Sequence, residues 1–416
     1  MSQELAIDML TVSRHEEPPA DAAVSRALAT AGLGVADYTP ATRRADSGSK
    51  PPPGRTRIGT YMLTGPRPRT AARVIAARYT APVMAGMAEA AFTALTRGLV
   101  AEDTHTLRQG VIGLDLRITT TDQHAVPAMA WGMQVLRVLL DLTQGVAVDP
   151  AAQRCYSRAE IGRLQTEDPL AHIAIHAEIW DADSRWLHTH GLQKYGRPEL
   201  DLVAVPHALE TEGDAFLREV AYSLAHGTML APGQEIEFEG TGAVVALGTT
   251  PDLDHQAPYG RLRLADVPAP GERQGVGARR LLGRMALAEA DRLVDEGAPT
   301  GAMETIERVL AADPDDCAAL MLKAHLYLRA GNVEEALSLG EFMELRVPGD
   351  YRGPLTVGMA LASMGRYREA LLALDRAIEH EPEAAEAFAI RAQVHEQLGN
   401  GQLAAVDRAH AAYLTT

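Results

Sequence analysis

Apolar residues along this chain keep two different periods, and the change from one to the other falls near residue 270. Through 58–265, short alternating or continuous apolar runs predict strands at Ile58–Leu63, Val111–Thr119, Leu170–Trp180, Trp186–Leu192, Glu199–Val205, Gln234–Glu239, Ala243–Leu247 and Arg261–Leu264. Three stretches between them keep helical spacing. Pro82–Leu99 places Met84, Met87, Ala91, Leu95 and Leu99 on one stripe, and Asp214–Ala225 is amphipathic. Val126–Leu142 is apolar nearly all round, which predicts a central helix. Strands and helices in mixed order predict an α+β layer architecture. Two stretches, 40–57 with Pro51, Pro52 and Pro53, and 265–277, are too rich in Pro, Gly and charge to build a core. The expected organisation is a lead and flexible linker over 1–57, an α+β domain over 58–265, a linker over 266–277 and an all-α block over 278–416.

The C-terminal block repeats itself. Pro314, Pro348 and Pro382 are spaced by 34 residues, as are Gly297, Gly331, Gly365 and Gly399, and Ala302, Ala336, Ala370 and Ala404. Each type has a physical task. The glycine ends a first helix in a left-handed conformation. The alanine lets two helices cross closely, and the proline closes the second helix.

With its repeat partner GNVEEAL (331–337), GRYREALLALDRAIEHEP (365–382) resembles the tetratricopeptide repeat, in four units: 283–316, 317–350, 351–384 and 385–416. This implies an all-α helix-turn-helix superhelix behind the α+β domain. The chain departs from the pattern at Pro299 and Thr300 in the first turn, at Gly340 in place of a large residue, and at the missing last proline. The resemblance also implies a concave groove lined by the first helix of each unit, which places Met321, His325, Leu328, Arg329, Leu355, Met359 and Ala362 on it. The lysines and asparagines that grip a partner's C-terminal carboxylate in one branch of the family are absent there, so chaperone-tail binding is not expected.

Charge mostly excludes. The 416 residues carry 39 basic and 55 acidic side chains, a net −16. The balance divides evenly, with 14 basic and 22 acidic residues in 276–416, and no basic run exceeds two residues. Nucleic acid and anionic membrane surfaces are therefore disfavoured as partners. Cys155 and Cys317 lie far apart and give no disulfide framework; with no signal-like start and no apolar window of spanning length, a cytoplasmic location is expected.

The densest group of reactive side chains is HIAIHAEIWDADSRWLHTHG (172–191), with four of the 14 histidines. On a strand, His172, His176, Glu178 and Trp180 share one face. Turn formers over Asp181–Arg185 predict a hairpin, and a three-residue loop is expected to set a register that pairs Trp180 with Trp186, Glu178 with His188 and His176 with His190. The candidate catalytic residues are thus His176, Glu178, His188 and His190, and the candidate metal ligands are His176, His188 and His190. The same pattern fits a packed, hydrogen-bonded sheet face without chemistry. HTHGLQKYGRPELDL (188–202) is similar to a sequence shared by uncharacterised bacterial domains of unknown function, which implies a shared fold only. Several motifs fail: His176-Ala-Glu178 lacks the Pro-Cys-x-x-Cys of a zinc deaminase, and no phosphate loop, Gly-x-Ser-x-Gly or His-Glu-x-x-His occurs. Arg154 beside Cys155 would lower that thiol's pKa if it faced it.

These readings point to a scaffold or regulatory protein that binds a protein or peptide through its repeats, with self-association as a variant and no cofactor. The alternatives are a hydrolase-like or metal-binding enzyme working on the histidine face, with a transition metal, and a bacterial stress or immunity accessory protein.

Overall fold

A computed structural model of the chain describes residues 3–33, 35–40, 55–164, 167–231, 233–238, 243–249, 261–266 and 278–415. The first layer is a sheet built from β1 (Glu4–Val12), β2 (Val35–Pro40), β3 (Arg55–Thr64), β4 (Ala71–Tyr79), β5 (Ile112–Thr121), β6 (Val146–Asp149) and β7 (Arg154–Ser157). Its order is β2-β3-β4-β5-β1-β6-β7, antiparallel at every pair. The expected lead over 1–57 is corrected here: β1 lies between β5 and β6, and its Leu5, Ile7 and Met9 are buried core. Alternating Glu4, Ala6 and Asp8 with those apolar residues gives a half-buried strand its period of two.

Helices α1 (Asp21–Thr30), α2 (Glu89–Leu95), α3 (Ala101–Gln109) and α4 (Ala125–Thr143) accompany this sheet. The single helix expected over Pro82–Leu99 is cut to α2, because Ala88 is extended and caps it from outside. By length and composition, the 22 residues Asp122–Thr143 could span a membrane, contrary to the expectation from apolar windows. Instead, α4 packs on β1 and β5, and Met129, Leu136 and Leu140 are fully buried. It is the central helix that its composition predicted.

The second sheet follows the short helix α5 (Arg158–Ile161) and holds β8 (Ala174–Ile179), β9 (Ser184–His190), β10 (Glu199–Pro206), β11 (Glu235–Phe238), β12 (Ala243–Thr249) and β13 (Arg261–Asp266). The order is β11-β12-β13-β10-β9-β8, with only β10 and β13 parallel among the described strands. Helix α6 (Glu210–Ala225) packs across β9 and β10. Of the expected linker at 266–277, Asp266 ends β13 and the rest lies outside the described residues.

Among the described residues, eight helices follow as four pairs: α7 (Arg279–Asp295) with α8 (Pro299–Ala312), α9 (Cys317–Ala330) with α10 (Val333–Arg346), α11 (Arg352–Ser363) with α12 (Tyr367–His380), and α13 (Ala385–Gln397) with α14 (Gly401–Leu414). The periodic residues do what their chemistry requires. Gly297, Gly331, Gly365 and Gly399 all sit at φ between 73° and 81°, and Ala302, Ala336, Ala370 and Ala404 are all fully buried. Pro299, out of place in the family pattern, is the first residue of α8, where its missing N–H is harmless. Gly340 is explained by contact: a Cβ there would lie 2.8 Å from both Cγ2 and the backbone N of Val357 on α11. Gly340→Leu, which restores the family's usual bulk, is therefore expected to destabilise the chain by about 1–3 kcal/mol in urea denaturation.

The first repeat is not separate from the α+β part. Leu281, Leu282 and Ala286 of α7 belong to the same buried cluster as Leu187, Val205, Phe216 and Leu262. Arg308 of α8 also reaches Glu212 of α6 at 2.8 Å.

Candidate functional site

The β8–β9 hairpin brings the predicted histidines together, in a register shifted from the expected one. The loop is three residues, closed by Trp180 N–H donating to Ser184 O at 3.1 Å, and Asp181 Oδ1 accepts from Asp183 N and Ser184 Oγ. Tight closure pairs His176 with His188, Glu178 with Trp186 and Ala174 with His190. The expected pairs Trp180–Trp186, Glu178–His188 and His176–His190 are each off by two residues on one strand. An even shift keeps every side chain on its face, so the constellation survives the wrong register. His172 does not join it; it belongs to a short 3-10 helix, Pro169–His172.

On that face the imidazole centroids are 5.7 Å apart for His176–His188, 4.6 Å for His176–His190 and 4.8 Å for His188–His190. One ligand nitrogen from each lies within 4.8 Å of the other two. His188 and His190 are 0% and 5% exposed, whereas His176 on the edge strand is half-buried. Glu178 Oε1 stands 3.4 Å from His188 Nε2. The Trp186 indole stacks on the other side of His188, 4.0 Å away and 14° from parallel. Trp186 Nε1–H donates to Asp201 Oδ1 at 3.0 Å, and Asp201 is itself held by Arg261 at 2.6 Å, both fully or nearly fully buried. The ring of His188 is thus fixed by a chain of buried contacts across β9, β10 and β13.

His176 and Glu178 also line a cleft of about 1960 Å³ between β8, α5 and the α2–α3 region. Seven arginines and five carboxylates line it, a local positive excess in an acidic chain. Arg14, Arg97 and Arg218 come from distant parts of the sequence, so no motif signals this cleft.

Downstream of the histidines, the residues 188–202 brace their own turn. Gly191 (φ 114°) and Gly196 (φ 68°) flank a short 3-10 helix, Leu192–Tyr195. Any side chain at 191 would meet His172 O at 2.7 Å. Glu199 accepts hydrogen bonds from Thr189 Oγ1 and Gly191 N at 2.8 Å each and from Gln193 N at 3.3 Å. Lys194, 2% exposed, donates to Asp149 Oδ2 at 2.6 Å and to the carbonyl of His172. Asp149 belongs to β6, so this pair joins the two sheets. Sequence reasoning missed it; its trace is a lysine in a chain with only three.

Cys155 is buried, and burial first, then Glu160 and Asp149, pushes its thiol up to about 12. Arg154 instead pairs with Glu160, so it does not lower the thiol's pKa. Burial also carries Cys317 up to about 12. Both thiols are expected to ignore a disulfide reagent at pH 8 in the native chain and to react on unfolding.

In the repeats, Met321, His325 and Leu328 on α9 and Met359 and Ala362 on α11 are half-buried, and Arg329 is exposed. Leu355 is corrected as a groove residue: it is 0% exposed, packed among Leu361, Ala370 and Leu374. His325 Nε2 lies 3.5 Å from Glu386 Oε1 on α13, so the first helices of the second and fourth units approach each other over α11. Burial and Asp295 raise the carboxyl of Asp291 on α7, and His325 opposes the rise. Large apolar side chains are exposed on the second helices instead, at Phe342, Leu345, Leu372, Leu403, Val406 and Tyr413.

The family comparison agrees with the repeat geometry. Tetratricopeptide-repeat family models match residues 293–339 and 355–413. Among solved structures, a thermophilic TPR protein of Thermus thermophilus is 25% identical over 32% of this chain and 74% of that one, with a TM-score of 0.30. MamA of AMB-1 is 24% identical over 32% and 79%, TM-score 0.26, and MamA of MSR-1 is 23% identical over 32% and 76%, TM-score 0.25. No curated protein matches the chain. The helix pairs at 279–414 with the two family matches make the C-terminal region of this chain a run of tetratricopeptide repeats, joined to an α+β part.

Proposed function

We propose that the chain is a scaffold that holds a segment of a partner protein along the first helices of its repeats, with the α+β part as the body on which the repeat stack is mounted. The observation that carries this reading is the repeat itself. Stacked helix pairs line up their first helices along one side, and such surfaces serve extended or helical protein segments. Met321, Leu328, Met359 and Ala362 supply half-buried apolar contacts there. Glu386 and Asp291 flank His325, which favours a partner segment of basic character.

The test is affinity capture by the full chain. A Met359→Arg/Glu386→Arg variant puts two cations on this face and is expected to weaken capture tenfold or more, a loss of about 1.4 kcal/mol. His176→Ala, far from it in the α+β part, is expected to leave capture unchanged. Equal capture by wild type and the double variant would contradict the proposal.

A further inference from the structure

We propose that His176, His188 and His190 form a binding site for a divalent transition metal of the zinc class, with Glu178 orienting His188. The inference concerns the α+β part and is independent of the repeats.

Three imidazoles converge from two adjacent strands, with one nitrogen from each within 4.8 Å of the others. A tetrahedral zinc with Zn–N bonds of about 2.0–2.1 Å needs those nitrogens about 3.3 Å apart. Closing from that spacing takes side-chain rotation at His176, half-buried on the edge strand, and at His190, around a His188 that stays in place. His188 is locked by the Trp186 stack and the Trp186–Asp201–Arg261 chain behind it. Such outer support is what fixes a ligating histidine's orientation. Glu178, 3.4 Å from His188 Nε2, is the carboxylate that this arrangement pairs with a ligating imidazole.

The donor set selects the metal. Nitrogen ligands suit zinc, cobalt, nickel and copper, and disfavour magnesium and calcium, which take oxygen. Three protein ligands leave a fourth position for water or for a group delivered through the adjoining cleft, which His176 also lines. The cleft's arginine excess fits an anionic group there.

The experiment uses the full chain, stripped with a chelator and titrated with Co2+ while visible absorption is followed, then displaced with Zn2+. The expected result is one equivalent of Co2+ with intense tetrahedral bands, displaced by one equivalent of Zn2+. His176→Ala and His190→Ala are expected to abolish those bands while retaining the wild-type circular dichroism. Glu178→Gln is expected to weaken binding 10–100-fold, and unchanged affinity would remove Glu178 from the site. Because His190 is buried, a second measurement needs no variant: the Co2+-loaded wild type should show three exchangeable, hyperfine-shifted imidazole N–H resonances. Absence of saturable binding, weak octahedral bands, tetrahedral bands that survive in either folded alanine variant, or a count other than three would each overturn the proposal.

Discussion

Lys194→Ala is expected to destabilise the folded chain by about 3–5 kcal/mol in urea denaturation. The ammonium and the Asp149 carboxylate are 1% and 0% exposed and 2.6 Å apart. Removing the lysine leaves a buried carboxylate without its counter-charge, accepting from the backbone N–H groups of Ala151 and Ala152. The surroundings are buried and near Asp149: the hydroxyls of Tyr156 and Tyr195 have their pKa values raised, first by burial and then by the charge of Asp149. The double variant Lys194→Met/Asp149→Leu removes both charges and is expected to recover most of the loss, because a buried pair repays little more than its own desolvation. A loss below about 1 kcal/mol in the single variant, within the range of exposed pairs, would mean that the joint between the sheets is open to water.

A chain ended after residue 277 is expected to aggregate or to melt well below the full chain. It loses Leu281 and Leu282, both 0% exposed and packed on the second sheet and α6, where Leu282 Cδ1 lies 3.5 Å from the Cβ position of Gly213. Leu282→Ala in the full chain isolates this contact, with an expected loss of about 2–5 kcal/mol. Calorimetry distinguishes the cases. If the truncated chain melts where the α+β part melts in the full chain, the shared core is wrong.

The repeats were legible because three residue types recur in one phase, and each type constrains backbone or packing at a point the next unit must copy. The histidine face was legible for another reason. Its parity depends only on alternation along β8 and β9, which a two-residue error in pairing leaves intact. The expected three-residue loop forms, but three residues after Trp180 bring Ser184 and not Trp186 opposite it, with Asp181 accepting from Asp183 and Ser184. β1 was hidden by its neighbour: the alternation of Leu5, Ile7 and Met9 is plain, but the Pro-rich 40–57 made everything before it look like a lead. β6 and β7, four residues each, are too short to show a period. Asp149 and Lys194, 45 residues apart, and the cleft's arginines meet only through the packing of two sheets.

A partner bound as proposed lies along the first helices of the repeats. A photo-crosslinking residue placed at Leu328 on α9, and separately at Leu372 on the exposed side of α12, tests this directly in the full chain. A partner in that position gives an adduct from position 328 and none from 372. An adduct from 372 alone would move binding to the exposed apolar residues of the second helices and contradict it.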